Sequence, residues 1–146
     1  SLLEIILSLF IGVYIEEIIF RGLVVNYIKG RPLWEILVFP SLIFAFYHYG
    51  RGNYPLLFCS SAFLFGVLMI LVRVSHNTIW LCVLLHLVWN GVDKLAFASA
   101  DDNYNPLISE LTTMILTVFM MLLLSAYYLH HYLNIKGKKG LLLPYD

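Results

Sequence analysis

The sequence predicts an all-α fold, a polytopic transmembrane helix bundle with about five membrane helices, and three observations carry that expectation. Hydrophobic residues make up 61% of the 146 positions and charged residues only 12%. With a mean hydropathy of +0.85, the chain falls outside the range of ordinary soluble domains. Apolar runs near the ~20 residues that cross a hydrocarbon core recur along it, separated by short breaks rich in Gly, Pro and Asn. The nine basic and nine acidic residues cancel, and no Lys/Arg-rich run precedes the tail Lys136 to Lys139. A nucleic-acid partner is therefore disfavoured, and membrane lipid is the expected surroundings.

Taken in order, the first span runs from Leu2 to about Ile28 and stops at Lys29-Gly30-Arg31-Pro32, where Gly and Pro break the helix and the cations mark an interface. The second, Leu33 to Tyr49, is short and ends in the turn-rich stretch Gly50 to Pro55. The third covers Leu56 to Val74, and the Ser75-His76-Asn77 connector leads to the fourth, Thr78 to about Val92. Asp93 to Asn105, the most polar stretch, is expected to be a loop at a membrane face. Pro106 then opens a fifth span to Leu133, followed by a basic tail. His76, His130 and His131, beside Tyr127, Tyr128 and Tyr132, are expected at an interface, where aromatic belts form. Cys59 and Cys82 stand singly without CxxC spacing, as packing residues do.

We expect one domain over 1–146, with no internal repeat. The chain begins at Ser1 and enters an apolar helix without a basic signal region, as a core trimmed at its N-terminus would. With five crossings, Lys29, Arg31, Arg73, Lys136, Lys138 and Lys139 fall on one side and only Arg51 and Lys94 on the other. The positive-inside rule then sets the C-terminus in the cytoplasm of a cell whose plasma membrane holds the chain.

Chemistry concentrates in Glu16-Glu17-Ile18-Ile19-Phe20-Arg21-Gly22. Each charge at the centre of a membrane helix costs on the order of 3 kcal/mol on insertion scales, so three in six positions demand compensation. Glu17 and Arg21 are four apart with the acid first, the better orientation for an ion pair. Glu16 points roughly 100° away and needs partners on other helices.

The deep candidates are His48 in the second span and His86 with Asn90 in the fourth. At 1.5 Å per residue from a common face, Glu16 lies roughly 18 Å deep, His48 roughly 21 Å, His86 roughly 12 Å and Asn90 roughly 18 Å. His86 and Asn90, four apart, share a helix face. A lone membrane histidine usually makes one packing hydrogen bond worth roughly 0.6 kcal/mol. Facing an uncompensated carboxylate at the same depth, it marks a relay, an ion site or catalysis instead.

Glu16-Glu17-x-x-x-Arg21, Phe44-x-x-x-His48 and His86-x-x-x-Asn90, in that order over about Ile11 to Asn90, resemble the CPBP family of type II CAAX prenyl proteases and bacteriocin-processing or immunity proteins. The resemblance implies an all-helical intramembrane endopeptidase acting on a membrane-associated peptide or lipid-anchored protein. It implies that Glu16 and His48 handle a catalytic water, that His86 and Asn90 face the scissile carbonyl, and that Arg21 steadies Glu17. The residues suit that chemistry, since hydrolysis needs a base for water and donors for the oxyanion. A metal variant uses Glu16, His48 and His86 as a two-His, one-carboxylate set for Zn²⁺, although HExxH spacing is missing.

Two other functions compete. One is a non-catalytic membrane scaffold or bacteriocin self-immunity protein that keeps the polar cluster for packing. The other is an ion-coupled carrier, which the lack of inverted repeats disfavours.

Overall fold

The computed structural model describes residues 2–50, 55–98 and 106–139, and among them it is helical with no strand. The first span is one continuous helix in three parts: α1 (Leu2–Glu17), a π-helical segment (Ile18–Val24) and a closing turn α2 (Val25–Tyr27). The wider π turn begins directly after Glu17 and contains Arg21. Such segments interrupt α-helices frequently at functional sites.

Gly30, at φ +83°, takes the left-handed conformation that turns the chain into α3 (Leu33–Tyr47). Pro40 lies inside α3, where it cannot donate to the helix, and the Ser41 Oγ hydroxyl donates to Leu37 O at 2.6 Å. In membrane helices, hydroxyls next to proline commonly satisfy carbonyls in this way. α3 is short, about 22 Å at 1.5 Å per residue, so it brings His48 to a level well inside the bilayer thickness. His48 itself caps the C-terminus of α3 and so follows the helix rather than lying within it.

α4 (Pro55–His76) is the axis of the bundle and packs most heavily on α3 and α6. Its Met69, Ile70, Leu71 and Val72 are almost wholly enclosed. Contact with α3 is closest at Gly66, where an added Cβ would come 2.9 Å from Ser41 Cβ and 3.0 Å from Ser41 Cα. Only glycine permits that approach.

α5 (Ile79–Ala98) packs against α1, and α6 (Pro106–Lys139) lies along α4. Both outrun the expected limits. α5 continues past Asp93 to Ala98, so the polar stretch opens as helix, and the remainder of the expected loop, 99–105, lies outside the described residues. α6 continues past Leu133 through the basic tail to Lys139. Lys is a good helix former, and helix hydrogen bonding does not stop where hydropathy does.

Among the described residues, Leu56–His76 alone is long and apolar enough to span a membrane by itself, while Leu33–Tyr47 and Ile79–Gly91 are shorter apolar helices. The helix from Leu2 to Tyr27 is divided by the π segment and carries the site's charges. Large apolar side chains are exposed along α1 (Leu3, Ile6, Ile11, Ile15) and α6 (Phe119, Leu122, Leu123). A surface of that kind is suited to lipid. Tyr132 departs from the expected interfacial belt, because it is buried with Val25, Ile36, Ile70 and Val74. His76 and His131 stack at 6.2 Å and join the end of α4 to α6. Both cysteines are free thiols, and Cys82 is fully buried against Met69 O.

Candidate active site

Three elements converge on Glu16. His48 Nε2, from the end of α3, and His86 Nε2, from α5, each lie 3.9 Å from the same Glu16 Oε2. That separation exceeds a direct hydrogen bond, yet one water oxygen about 2.8 Å from each would bridge it. Glu16 is 19% exposed, whereas the two histidines are below 10%, so the carboxylate faces the open side of the cluster.

The rings are oriented from behind. His48 Nδ1 donates to Phe44 O at 2.8 Å, since a carbonyl only accepts. The helix itself fixes this bond, because the residue that ends α3 lies one turn from Phe44. With Nδ1 protonated, the neutral ring presents its Nε2 lone pair towards Glu16.

His86 is oriented differently. Its Nδ1 lies 2.7 Å from Glu17 Oε1, and Arg21 Nη1 donates to that same oxygen at 3.1 Å. The expected Glu17 and Arg21 pair therefore forms, with side chains 0% and 1% exposed. Sequence spacing did not disclose its second role, holding an imidazole 69 positions away. A buried carboxylate behind an imidazole sets its tautomer and holds the ring in place, as in hydrolytic triads.

Arg21 is enclosed by rings. Its guanidinium carbon lies 4.4 Å from the Phe44 centroid and 5.9 Å from those of Phe20 and Phe65. Phe65, on α4, also meets the His86 ring edge-on at 4.8 Å. Nothing in an apolar span distinguishes one phenylalanine from its neighbours, so Phe65 was not legible as part of the site. Asn90 lies one turn beyond His86 on α5 and is half-buried. It makes no hydrogen bond to Glu16, Glu17 or either histidine among the described residues.

The donor spacing does not support the zinc alternative. Tetrahedral ligands about 2.0–2.1 Å from zinc stand about 3.3 Å apart. Both imidazole Nε2 atoms are 3.9 Å from the carboxylate oxygen, wider than that spacing. Among the described residues no group of three His, Cys, Asp or Glu side chains is set to hold a metal ion. Glu16, His48 and His86 as arranged are spaced more widely than the ligands of a resident zinc ion.

Residues 1–92 match the family described as type II CAAX prenyl endopeptidase Rce1-like, a stretch that carries all the elements converging on Glu16. The chain belongs to the Rce1-like family. Neither a curated protein nor a solved structure gives a significant match. Membership makes this an integral membrane protein of a protease family, with an all-α fold that the helices bear out. Within the Rce1-like match fall Glu16, Glu17, Arg21, His48, His86 and Asn90, the six positions singled out from the sequence.

Proposed function

We propose that the chain is an intramembrane endopeptidase that hydrolyses a peptide bond of a membrane-associated, CAAX-like protein or peptide with a water activated by Glu16 and His48. The convergence of two imidazole Nε2 atoms on one oxygen of Glu16 carries this reading. In the proposed reaction Glu16 takes a proton from the water while His48 Nε2 accepts its second hydrogen in a hydrogen bond. The hydroxide oxygen bonds to the scissile carbonyl carbon.

His86, protonated at Nε2 and stabilised by Glu17 behind it, donates to the oxyanion together with Asn90. As the C–N bond breaks, His86 passes its Nε2 proton to the departing nitrogen. Glu16 then returns the water's proton to His86, and both groups regain their starting state. Substrate prenylation, a plasma-membrane location and a cytoplasmic C-terminus complete the proposal, the last resting on the six-to-two distribution of basic residues.

The test uses purified protein in liposomes, a prenylated CAAX peptide and its unprenylated counterpart. Cleavage by the wild type and its loss in Glu16→Gln are expected. Full activity in a correctly inserted Glu16→Gln would overturn the assignment.

A further inference from the structure

Arg21 poses a problem that the reaction above leaves open. Its side chain is 1% exposed, and its one hydrogen bond among the described residues runs from Nη1 to Glu17 Oε1. Nε and Nη2 are buried without a hydrogen-bond acceptor among the described residues. A guanidinium in that position needs another source of stabilisation, because burying unsatisfied charge is strongly unfavourable.

The surroundings supply one kind of group. Phe20 from the π segment, Phe44 from α3 and Phe65 from α4 place their ring centroids 5.9, 4.4 and 5.9 Å from the guanidinium carbon. All three are within the ~6 Å over which a ring quadrupole attracts a cation, and the attraction is greatest where water is absent. The rings also brace one another. Phe20 and Phe44 meet edge-on at 5.1 Å, and Phe44 and Phe65 lie 6.1 Å apart.

We infer that Phe20, Phe44 and Phe65 form a cation–π cage that positions Arg21, and through it Glu17 and the His86 imidazole, for the reaction proposed above. The three are positioning residues: all reach the chemistry through the guanidinium and the carboxylate, while Phe44 and Phe65 also touch the His48 and His86 rings directly, which leaves Phe20 as the ring that acts through Arg21 alone. The chain of contact runs from rings to Arg21, from Arg21 Nη1 to Glu17 Oε1, and from Glu17 Oε1 to His86 Nδ1. This gives α4 a place in the site although it contributes no polar side chain to it. It also accounts for an arginine where a lysine would provide the same charge. A flat, weakly hydrated guanidinium lies against aromatic faces while keeping an in-plane donor for the carboxylate.

The inference depends on the peptidase reading for its kinetic arm and is independent of it for its stability arm. Phe44 is replaced in the full chain by mono-, di- and trifluorinated phenylalanine, which keep the ring's shape while draining its quadrupole. The same series is made at Phe20, whose ring meets Phe44 and Tyr47 and, among the described residues, neither histidine, and at Phe63, which packs against the same core without a ring contact to Arg21 among the described residues. Cleavage of the peptide and thermal unfolding in detergent are both measured.

A stepwise fall in kcat with each fluorine at Phe44, about tenfold over the series, is expected with KM unchanged. A smaller parallel trend is expected at Phe20 and none at Phe63. Unfolding temperatures should fall in the same order. Temperatures that fall while kcat stays flat would overturn the positioning role, and responses equal to those at Phe63 in both measurements would overturn the cage. If the wild type cleaves nothing, the peptidase reading fails, and with it the positioning role; the unfolding series then decides the cage alone.

Discussion

His86 Nδ1 lies 2.7 Å from Glu17 Oε1, joining α5 to the end of α1 across 69 positions of sequence. The contact ties a buried ion pair to the imidazole that, in the proposed reaction, faces the scissile bond. It separates the two adjacent carboxylates by task, since Glu16 faces the open side of the cluster while Glu17 works from behind His86.

Glu16→Gln keeps the side chain's size and removes its basicity. Cleavage should fall by at least ~100-fold, the usual minimum contribution of a general base. The unfolding temperature should stay close to wild type, because Glu16 makes no direct hydrogen bond to either histidine at 3.9 Å. A large loss of stability would recast Glu16 as a packing group and favour the scaffold or immunity alternative.

His86→Ala should discriminate between leaving groups. If His86 protonates the departing nitrogen, hydrolysis of an amide should drop by about 10³-fold, while an ester with a good leaving group should lose less than about tenfold. Equal losses on both substrates would confine His86 to stabilising the oxyanion.

Glu17→Gln leaves the Arg21 charge buried against a neutral amide, a change that costs about 3–5 kcal/mol when a buried pair loses one partner. Denaturation of the detergent-solubilised protein reads this directly. The double variant Glu17→Gln, Arg21→Met should recover most of the stability, because removing both charges is far less costly than removing one. Activity should stay low, since the carboxylate behind His86 remains absent. Recovery of cleavage in the double variant would show that the pair is a brace and nothing more.

Gly66→Ala places a methyl 2.9 Å from Ser41 Cβ and 3.0 Å from backbone at Ser41 Cα. The backbone contact cannot yield by a rotamer change, so α3 and α4 must separate, at a cost of about 1–3 kcal/mol. Because α3 ends at His48, cleavage should fall along with stability. Ser41→Gly in the same chain should restore part of both. An unchanged unfolding temperature for Gly66→Ala would mean that the two helices are not held at this distance.

The elements were legible because hydropathy and helix breakers act locally. Lys29-Gly30-Arg31-Pro32 and the connector after Val74 separate the spans close to where the helices end. Hydropathy failed where it changes without a steric break. Asp93 and the Lys136 to Lys139 tail are polar, yet α5 and α6 continue through them, since intrahelical hydrogen bonds are made by the backbone whatever the polarity of the side chain. The zinc set was legible as residue types, but ligand separation is a spatial quantity, and the 3.9 Å spacing does not support that set.

By itself the sequence determined an all-α membrane chain and the Glu17 and Arg21 pair, and it set Glu16, His48, His86 and Asn90 at a common expected depth. Each follows from spacing along one helix or from distance to a helix end, and both are properties of a single segment. The tertiary structure alone decided which carboxylate holds His86, that both imidazoles turn to one oxygen of Glu16, and that three phenylalanines surround Arg21. Those outcomes depend on the rotation of each helix about its axis, which is set by packing such as Gly66 against Ser41 and by the π turn after Glu17. Rotation leaves no mark in a stretch that is apolar on every side.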